Sequence, residues 1–276
     1  MRRPLLSRGA TTLAAVVLLG SCTDDGDPPA DPDQTTPSPE PSASAAPRPK
    51  EGACYRLSFE EALAYTSDAR PRSCRREHTA VTYAVGDLDT IVDGHLVAVD
   101  SRRVKAQVAA TCPRLLGEYL GGSLEQQRLS MLRAVWFTPT VEESDAGSAW
   151  YRCDVIAVAG DERLAKLEGD ARGALATPEG RIRWGMCGTA EPGSPDFERV
   201  LCSDAHSWRA VDVVVFPDAE YPGQEAAEAR GQEQCESAGN AAAEDPLDFQ
   251  WGYEWPTEKQ WNAGTTYGLC WVPSEQ

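Results

Sequence analysis

Cysteine is the residue type in this chain with the most evident chemistry, and the sequence contains nine of them. Cys22 follows a Leu-Gly-Ser step at residues 19–21, an uncharged run over residues 9–20 and three arginines. A basic start, a short apolar run and small residues before a cysteine are typical of a lipoprotein signal peptide. The sequence therefore predicts a signal peptide over residues 1–22 and a lipid (palmitate-type) anchor on Cys22.

The remaining eight cysteines form an even set, which in an exported protein indicates disulfides. If each half of the chain is self-contained, three pairings remain in each half. The favoured pairs are Cys54–Cys74, Cys112–Cys153, Cys187–Cys202 and Cys235–Cys270.

An internal repeat supports this division into halves. Cys74 and His78 form a C-x3-H step that recurs at Cys202 and His206. Residues 139–155 then match residues 256–272 without a gap, in the pattern P-T-x4-[DN]-A-G-x2-[WY]-x2-C-x-V. The sequence predicts two homologous domains, 51–160 and 184–276, joined by a charged connector over residues 161–183.

The elements that position these cysteines follow from apolar periodicity. Each half contains a β-branched run, a stretch with helical spacing and two further apolar runs, which predicts strand, helix, strand, strand in an α+β fold with antiparallel sheets. Pro113 is expected to break or restart the first helix. The second helix presents only small residues and should pack more closely or more weakly; these residues are Ala227, Gly231, Cys235, Ala238 and Ala242. The closing strands are predicted at residues 131–137, 150–159, 249–255 and 267–272.

Residues 23–50 are rich in Pro, Ser, Thr and Asp and contain no large apolar side chain. Such a segment cannot bury enough surface to offset its backbone entropy, so the sequence predicts a disordered tether. The whole chain has a net charge of −17, and loss of the three arginines of the signal peptide makes it −20. A charge of this sign disfavours nucleic acid as a partner.

At these residues the chain resembles the septum formation domain of exported actinobacterial-type proteins, and the resemblance covers nearly all of residues 51–273. The resemblance implies a link to assembly of the division septum, and it assigns no reaction and no catalytic residue. The residues that carry it are Cys74, His78, Thr79, Cys112, Pro139, Thr140 and Cys153 in the first half, and Cys202, His206, Ser207, Cys235, Pro256, Thr257 and Cys270 in the second.

His78 and His206 are candidate binding residues because each occupies the same place in its half. Each C-x3-H step contains two potential zinc ligands, but a tetrahedral site needs two more, which oxidised cysteines cannot supply. We expect no metal and a structural histidine that hydrogen-bonds the backbone. A ligand-binding or pH-sensing role is the alternative.

Aromatic residues gather near the end of the second half, and Trp255 and Trp261 are candidate binding residues among them. We expect most of this set to form core or an interface between the halves. A surface that stacks on sugars is the alternative. The set comprises Trp251, Tyr253, Trp255, Trp261, Tyr267 and Trp271.

The sequence lacks a G-x-S-x-G elbow, an H-E-x-x-H pair, a P-loop and a C-x-x-C pair, so we predict no enzymatic activity and no cofactor. We expect a lipid-anchored protein on the extracytoplasmic face of the cell membrane that binds an envelope protein or cell-wall glycan. The alternative is a solute- or glycan-binding lipoprotein with a deep apolar pocket between the repeats. An envelope hydrolase would instead need clustered polar residues with shifted pKa values in a cleft.

Overall fold

The first half of the chain forms a four-stranded antiparallel sheet in this computed structural model, which describes residues 44–274. The strand order is β1-β2-β6-β5, and a separate two-stranded hairpin is made by β3 and β4. The elements are β1 (Cys54–Tyr55), α1 (Phe59–Leu63), β2 (Ala80–Asp87), β3 (Ile91–Val92), β4 (His95–Leu96), α2 (Arg102–Leu120), α3 (Leu124–Arg128), β5 (Leu132–Phe137), α4 (Val141–Asp145) and β6 (Trp150–Ala157).

The second half forms a five-stranded sheet in which all paired strands are again antiparallel. Its strand order is β10-β11-β9-β7-β8. The elements are α5 (Pro178–Arg183), β7 (Met186–Gly188), β8 (Arg199–Leu201), β9 (Trp208–Val215), α6 (Gln224–Ala242), β10 (Gly252–Glu254), α7 (Glu258–Asn262) and β11 (Tyr267–Pro273).

The two halves share a topology, because β1-β2-β6-β5 in the first corresponds to β7-β9-β11-β10 in the second. The predicted α+β class with antiparallel sheets is confirmed. The sequence analysis missed the short opening strands β1 and β7, which have two and three residues. Strands this short contain too few residues to show an alternating pattern.

Residues 44–274 contain four disulfides, two within each half, and none of them links one half to the other. They join the pairs favoured from the sequence: Cys54–Cys74, Cys112–Cys153, Cys187–Cys202 and Cys235–Cys270. In each half the second bond connects the long helix to the last strand, α2 to β6 and α6 to β11. The bonds therefore fix each helix against its own sheet.

Helix α2 runs through Pro113 without interruption and ends at Leu120, with Gly121 as its C-cap, so the predicted break is wrong. A proline inside a helix costs about 3 kcal/mol through a lost hydrogen bond and a steric clash. Tertiary contacts offset this cost: the Tyr83 hydroxyl donates to the carbonyl oxygen of Cys112 at 2.6 Å, and Cys112 is bonded to Cys153. The helix also buries a continuous face, formed by Val104, Val108, Cys112, Leu116, Tyr119 and Leu120.

Helix α6 packs closely on its sheet, as its small residues predict. A Cβ atom added to Gly231 would lie only 2.2 Å from the Tyr253 ring, and the Tyr253 hydroxyl donates to the carbonyl oxygen of Ala227 at 3.0 Å. The buried face passes through Gly239, whereas Ala242, expected on that face, is exposed. The buried positions of α6 recur every four residues and end at Gly239. Ala242 follows Gly239 by three residues and therefore falls outside this face.

The two halves share one hydrophobic core, which includes Val81 and Val155 from the first half and Trp208 and Trp271 from the second. An isolated bridge between Ser130 and Gly185 joins their backbones. The connector, residues 161–183, adds two buried side chains, Leu167 and Leu175, to the same core. Residues 44–274 therefore belong to one packed unit, and the halves are not independently packed domains.

The folded unit begins within the segment expected to be a tether. The carbonyl oxygen of Ala46 accepts hydrogen bonds from the Ser148 hydroxyl and the Trp150 indole, and Arg48 pairs with Asp87. The predicted signal peptide, the lipidation site Cys22 and residues 23–43 of the tether lie outside the described residues.

Candidate functional site

His78 lies in the interior and connects the first half to the connector. Its Nδ1 and Nε2 atoms are each 2.9 Å from a carbonyl oxygen, of Arg76 and Gly169 respectively. The backbone N–H of Leu167 in turn donates to the carbonyl oxygen of His78 at 2.9 Å. The ring therefore contacts only backbone atoms through its nitrogens, which is the structural role favoured from the sequence.

His206 is partly exposed, and its ring lies against a backbone carbonyl group and the side chain of Ser274. Its Nδ1 atom is 2.8 Å from the carbonyl oxygen of Asp204, and its Nε2 atom is 3.5 Å from the Ser274 hydroxyl. Within residues 44–274 no group of three or more His, Cys, Asp or Glu side chains is placed to hold a metal ion.

The two candidate tryptophans occupy different environments. Trp261 is buried between Phe216 and Tyr221, with ring centroids at 5.6 and 5.9 Å, so it belongs to the core beneath α6. Trp255 is only partly buried; its ring packs on Tyr253 at 5.7 Å and also lines a small cavity. Of this pair, only Trp255 is placed to contact a ligand.

The five-stranded sheet curves so that its two edge strands meet. β8 and β10 lie at opposite ends of the strand order, yet Arg199 of β8 and Glu254 of β10 form an ion pair at 2.5 Å. A Cβ atom added to Gly252 would lie 2.9 Å from Pro192 in the β7–β8 loop, which shows a second close contact between the edges. Arg199 Nε and Glu254 Oε2 are buried and have no hydrogen-bond partner within residues 44–274.

A second guanidinium reaches this place from the first half of the chain. Arg133, on the edge strand β5, donates from Nη1 to the carbonyl oxygens of Ser130 and Leu132 at 2.6 and 2.8 Å. Burial lowers the pKa of the Arg133 guanidinium; the Tyr267 phenol acts to raise it and the neighbouring Arg199 charge lowers it. Among the described residues no carboxylate forms an ion pair with Arg133.

These charged groups line a cavity of about 100 Å³ at the junction of the two halves. Arg133 and Arg199 supply two positive charges and Glu254 one negative charge, so the charged lining carries a net charge of +1. The rest of the lining is Met186, Trp255, Pro256, Gln260, Thr265, Tyr267 and Leu269.

The same three charged residues also line an open cleft of about 430 Å³. That cleft is bordered by the carboxylates of Asp161, Glu162 and Glu198. Neither space is the deep apolar pocket that the solute-binding alternative requires, because charged side chains form a large part of both linings.

Sequence reasoning missed Arg133, Arg199 and Glu254 altogether. They lie far apart in the chain, follow no motif and are three of many charged residues. No local signal distinguishes them, because the curvature of the sheet and the contact between halves bring them together.

A third arginine, Arg152, forms a buried ion pair with Asp154 inside the first sheet. Arg152 Nε lies 3.2 Å from Asp154 Oδ2, and the Thr82 hydroxyl donates to Asp154 Oδ1 at 2.6 Å. The guanidinium carbon lies over the rings of Tyr55 and Phe137, at 3.9 and 4.5 Å from their centroids. Burial raises the pKa of Asp154 to about 6, although Arg152 and the Thr82 hydrogen bond act to lower it. This pair opens to no cavity described above, so we assign it to the architecture of the sheet.

Comparison with known proteins identifies the family. The model of the family described as "Septum formation" matches residues 51–270. The chain belongs to the septum formation family. No curated protein and no solved structure matches it.

Membership in this family links the chain to cell division. Disulfides persist in oxidising compartments, so four of them in a septum formation protein are consistent with an extracytoplasmic envelope location. None of the helices in residues 44–274 is long and apolar enough to cross a membrane.

Proposed function

We propose that this septum formation protein is a non-enzymatic binding module that recognises another envelope protein or cell-wall material during division. Lipid on Cys22 holds it at the extracytoplasmic face of the cell membrane. Residues 23–43, the part of the predicted tether before the folded unit, act as the spacer. The family match supports the link to division, and the lipoprotein-type sequence up to Cys22 supports the anchor.

The observation that carries a binding role is the junction cavity. It is assembled from both halves of the chain and contains an arginine, Arg133, that lacks a carboxylate partner among residues 44–274. Charged groups that converge in a concave site fix the orientation of a ligand more than they stabilise a fold. The shared topology of the halves also supports two copies of one ancestral repeat.

The alternative is a solute- or glycan-binding lipoprotein. The position of Trp255 in the cavity wall favours it, because an aromatic face beside polar groups suits a sugar or another small ligand. The small volume favours the first reading, in which the cavity receives only an end group of a larger partner.

Localisation in dividing cells of the host tests this proposal. We expect a fluorescent fusion of the full-length protein to be enriched at the septum, and a Cys22→Ala variant to lose membrane attachment and this enrichment. An Arg114→Gln variant, altered at an exposed position of α2, is the matched control and should localise normally. Uniform envelope signal from the unaltered fusion would contradict a role at the septum.

A further inference from the structure

The junction cavity is lined by more positive side chains than negative ones. Two guanidinium groups converge on one carboxylate, and Arg199 Nη2 already donates to Glu254. Arg133 uses Nη1 for two carbonyl oxygens, and no anionic side chain among the described residues pairs with it. A half-buried guanidinium without an anion carries a desolvation cost that a bound anion would offset.

We propose that this cavity binds the free carboxylate at the C-terminus of a peptide, with Arg133 as its main partner and Arg199 as the second. This inference rests on the proposed binding function and names the ligand class of the same site. Guanidinium groups suit the ligand because their planar donors match the two oxygens of a carboxylate.

Inside the small cavity, as distinct from the adjoining open cleft, size and charge favour a carboxylate over a larger or more highly charged anion. A volume of about 100 Å³ holds roughly three water-sized groups, which matches a carboxylate and the carbon that bears it. The net charge of +1 matches a single negative charge, and Glu254 beside the arginines disfavours a second one. Trp255, Pro256 and Leu269 supply apolar contacts for the carbon atoms next to the carboxylate.

Glu254 adds an argument for a peptide rather than a simple organic acid. Its Oε2 atom is buried and accepts no hydrogen bond from the described part of the chain. In a peptide the last N–H lies one carbon away from the terminal carboxylate, so a ligand held by the arginines can place that N–H beside Glu254, and rotation of the Glu254 side chain toward the cavity brings Oε2 within its reach. An unsatisfied buried acceptor is costly, and this hydrogen bond would satisfy it.

Calorimetric titration of the full-length protein in detergent tests the inference, with N-acetyl-Ala-Ala as the probe. Its C-terminal amide and inorganic phosphate serve as comparison ligands. We expect binding of the free acid only, at least tenfold weaker binding by Arg133→Gln, and unchanged binding by the exposed control Arg114→Gln. Thermal unfolding must first show that each variant is folded; if Arg133→Gln is not, Arg133→Lys replaces it and should also bind more weakly, because it lacks the planar fork.

Three outcomes would overturn the inference: no binding of the acid by folded protein, equal binding of acid and amide, or equal binding by the Arg133 and Arg114 variants. Phosphate binding as tight as that of the acid would also overturn it, because it would indicate a general anion site. Septal enrichment of the fusion is measured separately. A failed titration with normal septal enrichment would therefore remove the carboxylate inference and leave the proposed function standing.

Discussion

The buried Arg152–Asp154 pair predicts an unusual dependence of stability on pH. Both side chains are nearly or wholly inaccessible, at 4% exposure for Arg152 and 0% for Asp154, so Asp154 loses the water that would stabilise its charge. Burial raises its pKa from 3.8 to about 6 in the folded protein. Between these two values the folded protein holds a proton on this carboxyl group that the unfolded chain does not hold.

The sign of the effect follows from that proton. Stability falls with rising pH wherever the folded state binds more protons, so this carboxyl group makes the protein less stable as the pH rises toward 6. Over each pH unit in which the folded state holds one more proton than the unfolded state, the free energy of unfolding changes by about 1.4 kcal/mol. For the raised value given above, the free energy of unfolding should fall by about 2 kcal/mol between pH 4 and pH 7 from this group alone.

Urea unfolding with intact disulfides measures this contribution. The other carboxyl groups of this acidic chain also titrate over the range, so the comparison is with Arg152→Leu combined with Asp154→Asn. That pair of changes removes both buried charges and keeps an acceptor for the Thr82 hydroxyl. At the corresponding places of the second half the chain itself has Leu269 and Trp271, so this position of the fold accepts apolar side chains.

The expected result is a difference between the two proteins that changes by about 2 kcal/mol from pH 4 to pH 7, with the unaltered protein relatively more stable in acid. Parallel curves would refute the argument, since they would mean that Asp154 titrates alike in the folded and unfolded states. A difference of opposite sign would show that Arg152 outweighs burial and holds the carboxylate ionised.

Three further predictions concern the fold. Gly231→Ala should lower the free energy of unfolding, measured by urea titration, by about 1–3 kcal/mol, because its Cβ would overlap the buried Tyr253 ring. Gly117→Ala is the control, because only the flexible end of a glutamine side chain lies close to that position. In the same titration it should be neutral or stabilising by up to about 1 kcal/mol. His78→Ala should speed hydrogen exchange in residues 161–183, because it removes the contact with Gly169, and unchanged exchange there would show that this contact is dispensable. Peptide mapping without reduction should find no disulfide between the two halves, and any such bond would contradict both the repeat and the structure.

The sequence by itself determined the features that depend on local spacing. The order of the cysteines and the gap-free match near the end of each half were sufficient to favour the pairing found in the structure. Apolar periodicity located the long helices, each of which buries one face, and runs of apolar and β-branched residues located most strands of both sheets. The α+β class followed from the same patterns.

Only the tertiary structure decided the features that depend on contacts between distant residues. Pro113 remains inside a helix because Tyr83 and a disulfide hold the neighbouring Cys112 in place. The halves share a core because the connector packs into it, although its composition suggested only a link. Arg133 and Arg199 line the same cavity because the second sheet curves and the first packs beside it. The free energy of a buried charge depends on its surroundings, so local spacing along the chain does not show which arginines will meet.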